Sequence, residues 1–375
     1  FFTIANNLYL SGEGSDAFGS NPVTISGNPF VNRTGRDFHL ANTSARFGAV
    51  IPDITVDKDG VARPSTGFTD IGAYQYGGTA TYPTPAYAYP TPATGPKTVY
   101  VDINLTADCT TNNYNVSSRN CSGTAGNAYN DFASAVAAMQ AGDTMSVRGG
   151  SYRTPLVVNK SGTASAHLKF VGYAGETVTI DMTGLPDTLA NKGGINIGSQ
   201  SYLDFSRINV LNAPAYGFWG GFVAPLPHHI TISDSEFAYS YHSGIVLEGG
   251  NNIDITRVNV HHSHTRGGDQ HEGVSFQAVD RFSITDSTVS HGRKEGIDAK
   301  YGSTNGVIAR NHTFLNNGPN IYVDGASNID VYNKNCHDTA AADKPCIGIC
   351  VESAANPEHY PTKNVNIYNN LMYGS

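Results

Sequence analysis

Short runs of alternating apolar and polar residues recur in phase along the second half of the chain. The runs begin 23–29 residues apart and read GINIG from residue 194, GFWGG from 217, GIVLE from 244, GVSFQ from 273, GIDAK from 296, NIYVD from 320 and GICVE from 348. A second alternating run follows each at a similar distance, as in NIDITRVNV and NIDVYNKNC. A period of two predicts short β-strands, and the Asn, Asp, Ser and Gly residues between them predict turns.

The in-phase recurrence predicts an all-β fold, a parallel β-helix. One repeat cannot bury its own apolar face, but stacked repeats bury a continuous core and pair each strand with the next coil, about 4.8 Å away. A β-sandwich of hairpins is disfavoured because it does not explain why the same pentapeptide pattern returns seven times.

The alternation also predicts which side chains leave the core. The inward positions are Ile245, Val274, Ile297, Ile321 and Ile349 and, two residues later, Leu247, Phe276, Ala299, Val323 and Val351. One outward column consists of Trp219, Val246, Ser275, Asp298, Tyr322 and Cys350. The other consists of Glu248, Gln277, Lys300, Asp324 and Glu352. Members of one column lie one coil apart, so we expect them to be neighbours.

A segment rich in proline and tyrosine divides the chain. Residues 79–96 have the sequence TATYPTPAYAYPTPATGP. Prolines that alternate with small residues and tyrosines form a stiff linker and no core. It separates residues 1–78 from a β-helix domain at 97–375. Phe132, Val136 and Met139 have helical spacing and predict a capping helix near residues 131–140, ahead of the β region.

Composition narrows the class of partner. The formal net charge of −8 disfavours a nucleic-acid partner, and no apolar run is long enough to span a membrane. The cysteines lie in two local groups, Cys109/Cys121 and Cys336/Cys346/Cys350, which suits local disulfides in a secreted or cell-surface protein with one thiol left over. Cys350 is expected to bond Cys336 or Cys346. Sequons such as Asn32-Arg33-Thr34 permit glycosylation. The absence of an initial Met and the strand-like ends suggest a piece of a longer polypeptide.

The chain resembles secreted right-handed parallel β-helix proteins of the pectate-lyase-like superfamily. The resemblance is carried by KTVYVD with AGDTMSVRGGSY, by KEGIDAKYGSTNGVIARN and by NIYVDGASNIDVYN. Residues 28–76 resemble the closing segment of another such β-helix, so that 1–78 would be the C-terminal part of a second module. The resemblance implies a fold, but this architecture supports lyases, epimerases, hydrolases and adhesins.

A shorter match is more specific. DQHE, from Asp269 to Glu272, resembles the Asp-Pro-His-Glu signature of mannuronan C5-epimerases. That resemblance implies catalytic roles for Asp269 and His271, with Asp298 as the Asp of the neighbouring coil. Arg266 stands where the family has a tyrosine, so Tyr322 or Tyr301 would have to supply the acid.

Lyases and epimerases of uronate polymers share one first step, the removal of the proton α to a carboxylate. The step needs a base, an acid and a positive group for the charge that develops. His271 is the favoured base and Lys300 the alternative. Arg266, Arg293, Asp324 and the possible stacking residue Trp219 are candidate substrate-binding residues. Ca²⁺ is a candidate cofactor, with Glu272, Glu295 and Asp298 as its ligands.

Two functions follow, and each candidate residue also has a structural interpretation. The first function is an extracellular carbohydrate-active enzyme that acts on an acidic, uronate-containing polysaccharide by β-elimination or C5-epimerisation. The second is a non-catalytic β-helix surface or filament protein, or an adhesin that binds glycans. Lys300 and Asp324 could simply form a surface ion pair between coils. His261, His262 and His264 are more simply a solvated corner than a metal triad.

Overall fold

The chain divides into two compact units in the computed structural model. The N/C unit comprises residues 1–88 and 283–375, and the central unit comprises residues 89–282. The structure describes residues 97–265, 271–340, 344–350 and 360–373. Before residue 97 it describes positions 2–5, 8–10, 23–25, 30–32, 37–41, 48–49, 56–57, 60, 62–63 and 68–69. The linker 79–96 lies outside the described residues.

Parallel strands build the central unit. They are Thr98–Val101, Asn127–Tyr129, Thr144–Val147, Gly150–Tyr152, Leu156–Val157, Leu168–Gly172, Val178–Asp181, Gly193–Gly198, Leu203–Ser206, Asn209–Leu211, Tyr216–Gly221, His228–Ser233, Glu236–Ala238, Ile245–Thr256 and Asn259–His261. The helix Phe132–Ala138 and the 3-10 helix Leu189–Asn191 complete the unit. The strand Val274–Thr285 contains the division between the two units.

Strands of the same kind build the N/C unit. Before the linker they are Phe2–Ala5, Leu8–Leu10, Val23–Ile25, Phe30–Asn32, Asp37–Leu40, Gly48–Ala49 and Phe68–Thr69. After the central unit they are Thr288–Ser290, Ile297–Lys300, Thr304–Ala309, His312–Phe314, Ile321–Asp324, Ser327–Tyr332, Asn335–His337, Ile347–Cys350, Lys363–Tyr368 and Leu371–Tyr373.

Within each unit, successive coils stack with parallel pairing, as the in-phase repeat predicts. In the central unit Leu203–Ser206 pairs with His228–Ser233, which pairs with Ile245–Thr256. In the N/C unit Ile297–Lys300 pairs with Ile321–Asp324 and that strand pairs with Ile347–Cys350. The predicted all-β, parallel β-helix fold is therefore confirmed.

The strands before the linker pair within the N/C unit. Phe2–Ala5 lies parallel to Lys363–Tyr368, and Leu8–Leu10 lies parallel to Leu371–Tyr373. Two antiparallel pairs, Phe30–Asn32 with Asp37–Leu40 and Gly48–Ala49 with Phe68–Thr69, occur in the same part of the chain. The division into modules at 1–78 and 97–375 stays a prediction.

A short helix precedes the main run of coils, where the sequence predicts it. Asp131 is its N-cap and accepts a hydrogen bond from the Ser134 amide at 2.8 Å, which satisfies an otherwise unpaired donor of the first turn. Phe132 and Val136 are its buried apolar residues. The Lys160 ammonium donates to the Met139 carbonyl at 2.9 Å, beyond the helix's last turn.

Inward-facing apolar residues form the core. Ile245, Ile297 and Ile321 are fully buried, as the alternation predicts. In the central unit, the Phe170 and Phe205 rings stack with centroids 4.8 Å apart. Coil stacking brings such rings together because equivalent inward positions lie one strand spacing apart.

The corners of the coils use the left-handed backbone region. Arg257 and Asp234 both have positive φ, at equivalent corners of successive coils, and their side chains pair at 2.6 Å. Arg310 and Asp286 repeat this arrangement in the N/C unit, at 2.7 Å. The strain of positive φ in a residue with a Cβ is offset here by an ion pair between coils.

Two disulfides lie where the sequence places the cysteine groups. Cys109 bonds Cys121, and Cys336 bonds Cys346. Cys350 belongs to neither disulfide. The expectation that Cys350 bonds Cys336 or Cys346 is therefore wrong, because those two residues bond each other.

Candidate functional site

Polar side chains line the outer side of three successive strands in the N/C unit. The parallel register places Asp298 next to Tyr322, and Tyr322 next to Gly348. Two residues along, Lys300 is next to Asp324, and Asp324 is next to Cys350. The predicted columns are therefore real neighbours in this unit. We call Asp298, Lys300, Tyr322, Asp324 and Cys350 the outer grid.

The lysine of the outer grid forms a buried ion pair. Its Nζ lies 3.4 Å from Oδ2 of Asp298, and the side chains are only 6% and 3% exposed. The Lys300 ammonium also lies 5.2 Å from the Tyr301 ring centroid. Lys300 is therefore buried and not solvated, whereas its expected ion pair with Asp324 stays a prediction. Burial of the Lys300–Asp298 pair is costly, so its retention needs a reason other than stability.

Tyr322 is placed to hold a proton. Burial raises the pKa of its phenol, and the hydrogen bond to Cys350 and the charges of Asp324 and Asp298 raise it further. Its ring lies over Gly348, where a Cβ would come within 2.9 Å of Cδ2 of the ring and within 3.1 Å of Cγ of Pro319. Glycine at that position therefore allows the ring to lie flat against the next coil.

An asparagine network orders the turns that lead into the outer grid. The Asn316 amide donates to Oδ1 of Asn320 at 2.7 Å, and Asn320 donates to the His337 carbonyl at 3.0 Å. Both asparagines are fully buried. Glu295 lies in the turn before Ile297, with its Oε1 2.8 Å from where a Cβ on Gly318 would lie. Arg293 is exposed beside it.

The predicted tryptophan lies on the outer side of the central unit. Trp219 pairs in register with Val246 and is partly exposed. Its indole Nε1 donates to Oε2 of Glu248 at 2.8 Å, which fixes the plane of the ring. The Lys192 ammonium lies 5.8 Å from the Trp219 ring centroid and 5.6 Å from that of Tyr216.

His271 belongs to a packed group of rings in the central unit. Its centroid lies 4.0 Å from that of His242, 5.5 Å from that of His264 and 5.7 Å from that of Tyr216. His264 is buried, so the interpretation of that residue as part of a solvated corner is wrong. His261 and His262 belong elsewhere, packed on the Tyr239 ring at 5.5 and 4.9 Å.

The predicted residues thus fall into three groups. Asp298, Lys300, Tyr322 and Asp324 come together in the outer grid. His271, Glu272 and Trp219 belong to the central unit, where Glu272 is almost completely buried. Arg266, Asp269 and Glu352 lie outside the described residues.

Glu272, Glu295 and Asp298 are the carboxylates expected to bind Ca²⁺. Within the described residues, no group of three or more His, Cys, Asp or Glu side chains is arranged to hold a metal ion. Of the three expected ligands, Glu272 belongs to the central unit, whereas Glu295 and Asp298 belong to the N/C unit. Asp298 already faces the Lys300 ammonium. The expected Ca²⁺ site stays a prediction.

Sequence reasoning missed Lys192 and His242. Both stand two residues before the glycine of an alternating run, and so does His271 before Gly273. Comparing the repeats at this position would have revealed a basic column, whereas inspecting only the strands did not. Lys192 is also the only charged residue close to that first run, so its isolation drew no attention.

The chain was compared with known proteins. It is 32% identical over 127 residues to pectate lyase PEL9 of Emericella nidulans, a match that covers 31% of this chain and 30% of that protein. The chain therefore spans less than a third of the length of this curated relative. The crystal structure of pectate lyase Pel9A has a TM-score of 0.47 at 14% identity, over 75% of this chain and 78% of that one.

A second solved structure is that of the mannuronan C-5 epimerase AlgE4 A-module of Azotobacter vinelandii. Its TM-score is 0.35 at 16% identity, over 62% of this chain and 79% of that one. Residues 113–336, more than half of the chain, match the family described as the Pel9A-like, right-handed β-helix region. The chain belongs to this family of Pel9A-like right-handed β-helices.

Proposed function

We propose that the protein is a lyase that cleaves an acidic, uronate-containing polysaccharide by β-elimination, with the outer grid as its catalytic site. The observation that carries the proposal is the buried Lys300–Asp298 pair beside Tyr322 on the outer side of the coils. Family membership and the named pectate lyase relative support the substrate class. We propose polygalacturonate as the first substrate to examine.

Lys300 is the proposed base. A lysine amine that has lost its proton can remove the C5 proton of a uronate, and burial disfavours the charged form of such an amine. Asp298 orients Nζ at 3.4 Å and stabilises the ammonium once the proton has been taken up. The low exposure of both groups excludes water, which strengthens these charge interactions. This proposal exchanges the roles expected from sequence, in which His271 was the favoured base.

Tyr322 is the proposed acid. The electrons of the broken C5–H bond form the C4=C5 double bond, and the C4–O4 bond breaks toward the departing sugar. The oxygen that leaves needs a proton, and a phenol with a raised pKa keeps its proton until an alkoxide develops beside it. Transfer of that proton leaves a phenolate, which regains a proton from solvent before the next turnover.

C5-epimerisation would begin with the same proton abstraction and end differently. If O4 stays bonded and C5 regains a proton on the opposite face, the product is the epimer and no double bond forms. Only the products separate these reactions, since the outer grid offers both a base and an acid. A Ca²⁺ requirement remains a separate proposal. Glu295 and Asp298 would be ligands, the polymer would have to supply others, and no step above depends on the ion.

The experiment uses the full chain with polygalacturonate and alginate. A lyase produces an ultraviolet-absorbing unsaturated end, whereas an epimerase changes only the polymer's NMR spectrum. Lys300→Arg keeps the positive charge but cannot act as a base near neutral pH. We expect it to lose about 10²–10⁴-fold in kcat, the usual contribution of a general base. A parallel series in EDTA tests the Ca²⁺ requirement.

Lys363→Arg is the matched control, because Lys363 is an exposed lysine of the same unit. It should keep full activity. Lys300→Gln tests the same step with a smaller side chain, and circular dichroism checks that both variants fold. Full activity in Lys300→Arg would assign Lys300 to charge neutralisation and refute it as the base. Inactivity on every uronan would favour the non-catalytic glycan-binding alternative.

An extracellular location is part of the proposal. The two disulfides support it, since such bonds persist in oxidising compartments. Among the described residues, none of the helices has both the length and the apolar character to cross a membrane.

A further inference from the structure

A continuous series of ring–ring and cation–ring contacts runs across the central unit. Its residues precede those of the outer grid in the sequence. It consists of Lys192, Tyr216, Trp219, His242, His264 and His271, which we call the basic aromatic strip. Each member lies within 6 Å of another by the ring and cation distances given above. The proposed reaction uses none of these side chains.

The repeat itself generates the strip. Lys192, Ala215, His242 and His271 each stand two residues before the glycine that opens an alternating run. Coil stacking places equivalent positions one above another, so three of these four successive positions carry a basic or titratable group. Trp219 stands two residues after Gly217, at an outward position between the inward-facing Phe218 and Gly220.

The strip is partly open to solvent. Lys192, Trp219 and His271 are each partly exposed, whereas Tyr216, His242 and His264 are buried. An indole whose nitrogen is held by Glu248 presents a fixed apolar face. Such a face suits the C–H side of a sugar ring, and the adjacent ammonium suits a carboxylate on that ring.

The local positive charge of Lys192 favours a polyanion as the ligand. The protein carries a formal net charge of −8, so a polyuronate is repelled by the molecule as a whole and needs a local positive surface. The acidic groups near the strip are already engaged. Asp187 lies 3.9 Å from Nε2 of His242, and Glu248 accepts from the indole.

We propose that the basic aromatic strip is a binding subsite for a polyuronate chain, with one sugar stacked on Trp219 and its carboxylate on Lys192. The subsite deepens the proposed function, because it rests on the same substrate class. It acts in binding only, and the partly exposed His271 supplies a further donor for a hydroxyl or carboxylate oxygen along the chain. Lys192 sets specificity for an acidic over a neutral sugar.

The experiment measures the dissociation constant of polygalacturonate by calorimetry in the Lys300→Arg background, which prevents cleavage during titration. Lys192→Gln and Trp219→Phe should each weaken binding about tenfold, the ratio that corresponds to one lost stacking or charge-assisted contact. Trp219→Phe keeps an apolar ring against Val246, so the fold is preserved. Lys169→Gln is the control, because it removes the same charge from an outward position of the strand Leu168–Gly172 in the same unit.

Fully methyl-esterified pectin provides the second comparison, because it has the same rings without the carboxylate charge. It should bind wild type and Lys192→Gln equally weakly. Unchanged affinity for polygalacturonate in both Lys192→Gln and Trp219→Phe would overturn the subsite, even if the lyase activity is found. Binding that depends on Lys192 and Trp219 in a protein that cleaves no uronan would sustain the subsite and refute the proposed reaction.

Discussion

Replacing the buried Lys334 by methionine should raise the free energy of unfolding of the protein. Lys334 is completely buried, and in the described part of the chain its Nζ has no hydrogen-bond partner. Burial lowers the pKa of this amine well below its ordinary value, Arg310 lowers it further, and Asp286 raises it slightly. The folded protein therefore keeps the amine neutral under conditions in which the unfolded chain protonates it.

The size of the effect follows from the unpaired group. A buried donor without a partner costs about 1–3 kcal/mol, and methionine has a similar length without the polar atom. Lys334→Met should raise the free energy of unfolding by about that amount near pH 10, and by more at neutral pH, where the unfolded wild-type chain also binds a proton that the folded state does not. The unfolded state binds the extra proton between the lowered pKa of the folded state and the ordinary value near 10.4. Wild-type stability therefore rises with pH in this window, by at most about 1.4 kcal/mol per pH unit.

Methionine has no group that binds this proton. The excess of the Lys334→Met free energy of unfolding over that of wild type should therefore shrink as the pH rises from 7 to 10. Urea denaturation at several pH values measures the difference, and Lys363→Met, at an exposed site, should show none of it. A destabilised Lys334→Met, or an advantage that does not depend on pH, would refute the assignment of a neutral buried amine.

The neighbouring coils suggest a second substitution at the same place. Asn311 accepts from the Ser287 amide at 2.9 Å and donates to the Ile284 carbonyl at 2.8 Å. Asn370 does the same toward the Lys334 amide and the Val331 carbonyl, at 3.1 and 3.0 Å. Lys334 stands between these two asparagines and interrupts the ladder. Lys334→Asn should restore it, because the substituted side chain would accept from the backbone N–H of Asn311 and donate to the backbone carbonyl of Ile308. We expect this substitution to stabilise the protein at least as much as Lys334→Met.

Two further predictions concern the central unit and the outer grid. Asp102 is fully buried and accepts from Tyr114 at 2.6 Å and from Arg119; although burial alone would raise its pKa, these bonds hold that pKa below its ordinary value. Asp102→Asn should therefore destabilise by about 1.5–3 kcal/mol at neutral pH. The difference should vanish as the pH falls through the native pKa, and a constant difference in acid denaturation would contradict this. Gly348→Ala should lower kcat by displacing the Tyr322 ring, with little loss of thermal stability; unchanged kcat would show that the ring position does not matter.

The repeat in the sequence predicts most of the fold. A period of two within each run and a spacing of 23–29 residues between runs leave parallel coils as the arrangement that buries every apolar column. The same spacing predicts that Asp298 and Tyr322 are neighbours, and the register confirms it. The Asp131 cap was also predictable, because an Asp before an apolar helical pattern is a common start signal.

The ion pairing and the disulfide partners were less predictable. Spacing predicts that Lys300 lies beside Asp324 on the next coil, and the register confirms it. The ion pair with Asp298, two residues back on the same strand, was not predicted. Both pairs are compatible with the alternation. Side chains two residues apart on one strand lie on the same face of the sheet, and so do register partners on adjacent strands. Cysteine pairing is ambiguous for the same reason, since Cys336, Cys346 and Cys350 lie within one coil's length of each other.

Burial on the outer side could not be predicted from the alternation at all. A period of two says which side chains leave the core, but it does not say whether anything covers them. Val246, Ser275 and Asp298 all point outward by the pattern, and all are almost completely buried. Solvated outward residues would need only to be polar, whereas covered ones must be apolar or paired. The Lys300–Asp298 pair satisfies that condition, and the burial of Lys300 also favours the neutral amine that a base requires. The feature that sequence reasoning missed is thus the one on which the proposed chemistry depends.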